Sequence, residues 1–129
     1  MPDSGFGLSR IAQVAVVVHD VERAAAFYGG VLGMKELFRF PPKLAFFDCA
    51  GTRLMLSLPE KPEFDHPNSI LYFDVPDIQQ AYRTLQERGV RFDDEPHFLA
   101  KLEKTDLWMT FFRDPENNLL AIQSEVPRA

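Results

Sequence analysis

The chain has a single cysteine, Cys49, so no disulfide can form within it and its fold must rest on a packed core. It has no cluster of basic residues: 14 Lys and Arg stand against 19 Asp and Glu, for a net charge of -5. That balance excludes a protein that grips nucleic acid through its phosphates, which would need a basic face. Long apolar runs are absent too. Ala12 to Val18 and Leu119 to Ile122 fall far short of the roughly 20 residues a membrane-spanning helix requires, so no membrane partner is expected. The polar start Met1-Pro2-Asp3-Ser4-Gly5 lacks the basic and apolar stretches of a secretory leader, which together with the lone thiol points to the cytoplasm. Phenylalanine, by contrast, is abundant. Twelve of 129 residues are Phe, and the 46% hydrophobic content suffices for the core of one domain spanning 1–129, with aromatic surface left over for a cavity or a subunit interface.

One supersecondary pattern is written twice. Ala12 to Val18 is a β-branched run that predicts a strand; Asp20 follows as a helix N-cap, and Val21, Ala24, Ala25, Tyr28, Val31 and Leu32 recur at helical spacing until Gly33 stops them. Ile70 to Val75, Asp77, then Ile78, Ala81, Tyr82, Leu85 and Gly89 repeat the sequence of events. Asp77 minus Asp20 is an offset of 57, which also pairs Val14 with Leu71, Val16 with Phe73, Val18 with Val75 and Ala24 with Ala81. Three strands are expected after each helix. In the first half they are Lys35 to Phe40, Leu44 to Cys49 and Thr52 to Leu58. In the second they are Arg91 to Phe92 or His97 to Leu102, then Asp106 to Arg113, then Asn118 to Gln123. The expected layout is a first module at about 10–58, a proline-bearing linker at about 59–68 and a second module at about 69–125. The fold class is α+β, with two tandem βαβββ modules.

The motifs that carry these elements resemble the vicinal oxygen chelate superfamily of glyoxalases, bleomycin-resistance proteins and extradiol dioxygenases. They are Gln13-Val-Ala-Val-Val-Val-His-Asp, Gly51-Thr-Arg-Leu-Met-Leu-Ser, Phe73-Asp-Val-Pro-Asp and Phe112-Arg-Asp-Pro-Glu-Asn-Asn-Leu-Leu, in family order over about residues 10 to 125. The resemblance implies a curved mixed sheet around a cup-shaped cavity that holds a small molecule, and a homodimer. It also implies a test for metal, because metal-dependent members place one ligand, typically His, Gln or Glu, on the first and last strand of each half. The matching positions here are Gln13, Met55, Ile70 and Ala121. Only Gln13 offers a donor suited to a hard or borderline cation, so no metal and no cofactor are expected.

Strand alternation leaves Gln13, Ala15 and Val17 facing the cup while Val14, Val16 and Val18 pack under the helix; Ile70, Tyr72 and Asp74 face it from the second half. Arg53 shares a face with Met55 and Ser57, where its planar guanidinium could meet an anionic group. His97 could titrate near neutral pH at the rim, and Phe46 and Trp108 add aromatic surface. His19 reads as a solvent-facing corner residue, and Cys49 as a buried, structural thiol. The expected ligand-binding set is thus Gln13, Phe46, Arg53, Met55, Ile70, Tyr72, His97, Trp108 and Ala121. The function expected is metal-free binding of a small, partly aromatic molecule of the bleomycin-resistance kind; a glyoxalase-like lyase, isomerase or dioxygenase-type enzyme using other polar groups is the alternative. Catalytic residues are not assigned.

Overall fold

The computed structural model describes residues 5–128; the polar start at 1–4 lies outside them. The first half runs β1 (Gln13–Val17), α1 (Val21–Ala25), β2 (Lys35–Phe40), β3 (Leu44–Cys49) and β4 (Thr52–Ser57). The second runs β5 (Leu71–Asp74), α2 (Ile78–Glu87), β6 (His97–Lys101), β7 (Thr105–Arg113) and β8 (Leu119–Pro127). Each half makes a four-stranded mixed sheet, in the orders β1-β4-β3-β2 and β5-β8-β7-β6. The first strand of each half lies parallel to its last, in a register that sets Ala15 beside Met55 and Tyr72 beside Ala121. No helix among the described residues is long and apolar enough to cross a membrane.

The repeat is kept in its local chemistry. Asp20 and Asp77 both adopt extended backbone and accept a hydrogen bond from the backbone N–H three residues on, at 3.0 and 3.1 Å. The helices then differ. α2 runs ten residues, whereas α1 gives way after five to a π-helical stretch, Ala26–Val31. Gly29 lies within that stretch, and a β-carbon there would come 3.1 Å from the Phe47 ring. The wider turn therefore brings bare backbone against the sheet, which only glycine permits without displacing the ring. Gly33, at φ +80°, ends the segment as the sequence predicts.

One strand boundary departs from the sequence reading by more than a residue, and one open alternative is decided. β8 extends four residues past Gln123 because β7 is long enough to pair it from Arg113 opposite Leu119 down to Thr105 opposite Pro127. Of the two stretches that could supply the second strand of that half, His97–Lys101 forms it, and Phe92 makes only an isolated bridge to Phe112.

A single core cluster collects the helix-facing residues of both sheets. Val16, Val18, Leu54, Leu56 and Phe47 contribute from the first half, Phe112, Leu120 and Ile122 from the second, with Tyr28 and Leu85 between them. Burying such side chains contributes about 1.5–3 kcal/mol each. The halves are also joined by polar contacts. The buried Tyr28 hydroxyl donates to Asp114 Oδ2 at 2.8 Å, and Asn68 bonds both the N–H and C=O of Val17 while reaching Asn118.

Candidate functional site

The faces turned away from the helices carry the candidate site. On β1 and β4, Gln13 sits opposite Arg53, and its side-chain oxygen accepts from Arg53 Nε and Nη2 at 3.1 and 2.9 Å. Its amide nitrogen lies 3.7 Å from the Met55 sulfur. The Arg53 guanidinium is 5.3 Å from the centre of the Phe46 ring, a cation–π distance. Phe46 in turn packs against Phe38 and Phe40, with centroids 4.6 and 6.3 Å away. The sheet thus presents one polar corner, Gln13 with Arg53, beside an aromatic field.

The second sheet presents Tyr72 against Phe111, centroids 6.0 Å apart, with Ala121 between them in register and Ile70 just before the strand. His97 stands opposite Met109 with its ring 6.5 Å from Phe111, and its Nδ1 lies 3.0 Å from the Glu95 carbonyl and 3.5 Å from Asp94. Arg53 and Tyr72, one from each half, also border a cleft of about 130 Å³ whose other walls include the core-side residues Val14, Leu54, Leu71 and Phe73. Phe38, Phe40, Ile70 and Tyr72 remain 39–56% exposed, an unusual concentration of apolar surface on two faces.

Trp108 is a correction. It pairs with Ser124 and lies three residues from Phe111, so the two-residue period of a strand turns it to the opposite face, where it packs against the core and against Phe98. Phe38, Phe40 and Phe111, which the sequence reading passed over, are on the open faces instead. Phe111 stands opposite Ala121 as Phe46 stands opposite Met55, an equivalence that the strand pairing shows and the offset of 57 does not.

The four positions that the family uses for metal do not fit one here. Gln13 has its oxygen taken by Arg53, Met55 offers a soft thioether, and Ile70 and Ala121 offer no donor atom. Among the described residues, no three His, Cys, Asp or Glu side chains are grouped so as to hold a metal ion. Cys49 is half-buried, and desolvation followed by the nearby Asp48 charge pushes its thiol pKa up, which suits an inert residue rather than a nucleophile.

His19 is exposed, as the sequence suggests, yet it is held from two sides. Nε2 lies 2.9 Å from Asp65 in the linker and Nδ1 3.1 Å from Glu116 in the β7–β8 turn. The Glu116 carboxylate also accepts from the backbone N–H groups of His19 and Asp20 and lies 3.7 Å from Arg23. The hydrogen bond to Asp65, then that to Glu116, raises the His19 pKa above its usual 6.5. The imidazolium is therefore better held in the folded chain than in the unfolded one. Its stabilising effect is fully present below about pH 6.5 and is lost as pH rises through the folded-state value. NMR titration should show His19 titrating above 6.5, and the stability difference between wild type and His19→Gln should shrink toward alkaline pH. A difference that grows with pH would contradict the clamp.

Paired βαβββ modules, each with a helix-backed sheet and an open face, define a class of α+β proteins that build small-molecule sites from two repeated units. The chain belongs to the Glyoxalase/Bleomycin resistance protein/Dioxygenase superfamily, whose family model matches residues 10–122. It is 30% identical over 128 residues to the Bacillus subtilis (strain 168) protein YurT, covering 88% of this chain and 97% of that one. A crystal structure of a superfamily member from Sphaerobacter thermophilus DSM 20745 is similar at TM-score 0.77 and 26% identity, covering 92% and 98% of the two chains. TnmS3, an antibiotic binding protein from Streptomyces sp. CB03234, shares the fold at TM-score 0.74 and 23% identity over 93% and 98%.

Proposed function

We propose that the protein binds a small, partly aromatic molecule without a metal, sheltering it between open sheet faces brought together in a homodimer. The observation that carries this reading is the chemistry at the four family metal positions, where an amide engaged with arginine, a thioether and two aliphatic side chains replace a ligand set. The faces around them supply what an aromatic guest needs: accessible rings at Phe38, Phe40 and Tyr72, backed by Phe46 and Phe111, and one polar anchor in Gln13 with Arg53. Antibiotic binding by TnmS3 on the same fold is compatible with such a role. The lone cysteine, which leaves no internal disulfide, is in keeping with a reducing, cytoplasmic setting.

A panel of small aromatic compounds, screened by ligand-detected NMR and then by calorimetry in the presence of a chelator, tests this directly. A hit weakened about tenfold or more by Tyr72→Ala or by Phe46→Ala is the expected result, a loss on the order of 1.4 kcal/mol. Because Trp108 lies on the core side, its emission should change little on binding. Binding or turnover that appears only with added divalent metal would overturn the reading and favour the enzyme alternative.

A further inference from the structure

We propose that the helix side of the second half holds a separate site for a small uncharged aromatic molecule carrying one hydrogen-bonding group. The observation is a cavity of about 400 Å³ between α2 and its sheet. Phe73, Phe112 and Ile122 form the floor, and Leu32 and Met34 reach across from the first half to close one side. Phe73 and Ile122 alternate with Tyr72 and Ala121 along their strands, so this cavity opens on the face opposite to the site proposed above and does not depend on it.

The internal repeat supplies its own control. Since 85 minus 28 is 57, Leu85 is the counterpart of Tyr28, and Ala81 that of Ala24. In the first half the Tyr28 ring is fully buried between helix and sheet, and its hydroxyl crosses to Asp114. In the second half its counterpart by that offset is the shorter Leu85, which stands on the wall of the cavity. The first half covers the corresponding face with that ring, so an open groove of this size beside a helix is not needed to build the fold.

The wall also has a polar edge. Asp77, Gln80 and Thr84 stand at i, i+3 and i+7 along α2, one stripe above the apolar floor. Asp77 Oδ1 is spent in capping the Gln80 N–H. The Gln80 amide and the Thr84 hydroxyl make no side-chain hydrogen bond to another described residue, so a donor and an acceptor are available to a guest. No Lys or Arg lines the cavity, and the Asp77 carboxylate disfavours an anion. The two phenylalanine rings suit an aromatic edge, and the volume is at the small end of ligand pockets, room for a substituted single ring.

The test is a backbone-amide NMR titration of the full chain with p-cresol and with toluene. Saturable shifts at Phe73, Ala81 and Thr84, with p-cresol bound more tightly than toluene, are expected. Thr84→Val, which keeps the shape and removes the hydroxyl, should reduce that preference. Leu85→Tyr, which copies the first half, and Ala81→Met should weaken both probes about tenfold while the amide spectrum stays folded. Shifts confined to the open-face residues Tyr72 and Ala121, no saturation at millimolar probe, or unchanged affinity in a folded filled variant would each overturn the site. If neither filled variant folds, the p-cresol preference of Thr84→Val and of the exposed-site variant Gln80→Ala decides: a preference unaltered in both overturns it.

Discussion

Asp114→Ala should lower the unfolding free energy by about 3–5 kcal/mol, a loss at the upper end of what a single substitution causes. The carboxylate is 5% exposed and accepts four hydrogen bonds: from Tyr28 Oη at 2.8 Å, from the N–H of Glu116 at 2.8 Å, and from the N–H and Nδ2 of Asn118 at 2.9 Å each. Removing it strands the buried Tyr28 hydroxyl, loosens the Asp114-Pro-Glu-Asn-Asn turn, and so releases Glu116 from its contacts with His19 and Asp20. Burial and then the Asp114 charge hold the Tyr28 phenol far above its ordinary range, so it remains a donor wherever the protein folds. Tyr28→Phe deletes one bond of the four and should cost only about 1–2 kcal/mol. Urea denaturation measures both. Equal losses would mean that the turn holds itself without the carboxylate.

Phe38→Glu with Phe40→Glu should convert the proposed homodimer to monomer and abolish binding at the open faces. The two rings pack on each other at 5.6 Å and on Phe46, yet they remain 42% and 56% exposed, and Ile70 and Tyr72 leave similar surface on the other sheet. A second copy related by a two-fold axis would cover both patches and close a cup around the Gln13–Arg53 corner. Buried aromatic anchors of this kind often contribute about 2 kcal/mol or more each to association, and a buried carboxylate in their place opposes it, so the pair should weaken the dimer by about a hundredfold or more. Sedimentation at micromolar concentration measures the change. A wild-type chain that sediments as a monomer would remove the dimer, and with it the shelter proposed for the ligand.

Much of the architecture is legible in the sequence, because it is written in short-range chemistry. The offset between Asp20 and Asp77 exposes the repeat, since a helix N-cap needs a particular side chain at a particular residue, and each strand before it announces itself by β-branched alternation. That alternation also divides Val14, Val16 and Val18 from Gln13 and Ala15 correctly. It fails at Trp108. In Leu107-Trp-Met-Thr-Phe-Phe nearly every residue is apolar on both sides, so the pattern has no polar phase to read, and only the pairing of Phe111 with Ala121 sets which residues turn toward the core.

The sequence by itself therefore determined the strands and helices and their order, which depend on residue identity and on neighbours a few positions away. The tertiary structure decided what depends on distant partners. It brought Arg53 onto the Gln13 amide across forty residues, held His19 between Asp65 and Glu116, and sank Tyr28 against Asp114. It also left Leu85 beside an open cavity where its repeat partner fills the space, because whether a side chain fills its surroundings is settled by everything that packs around it.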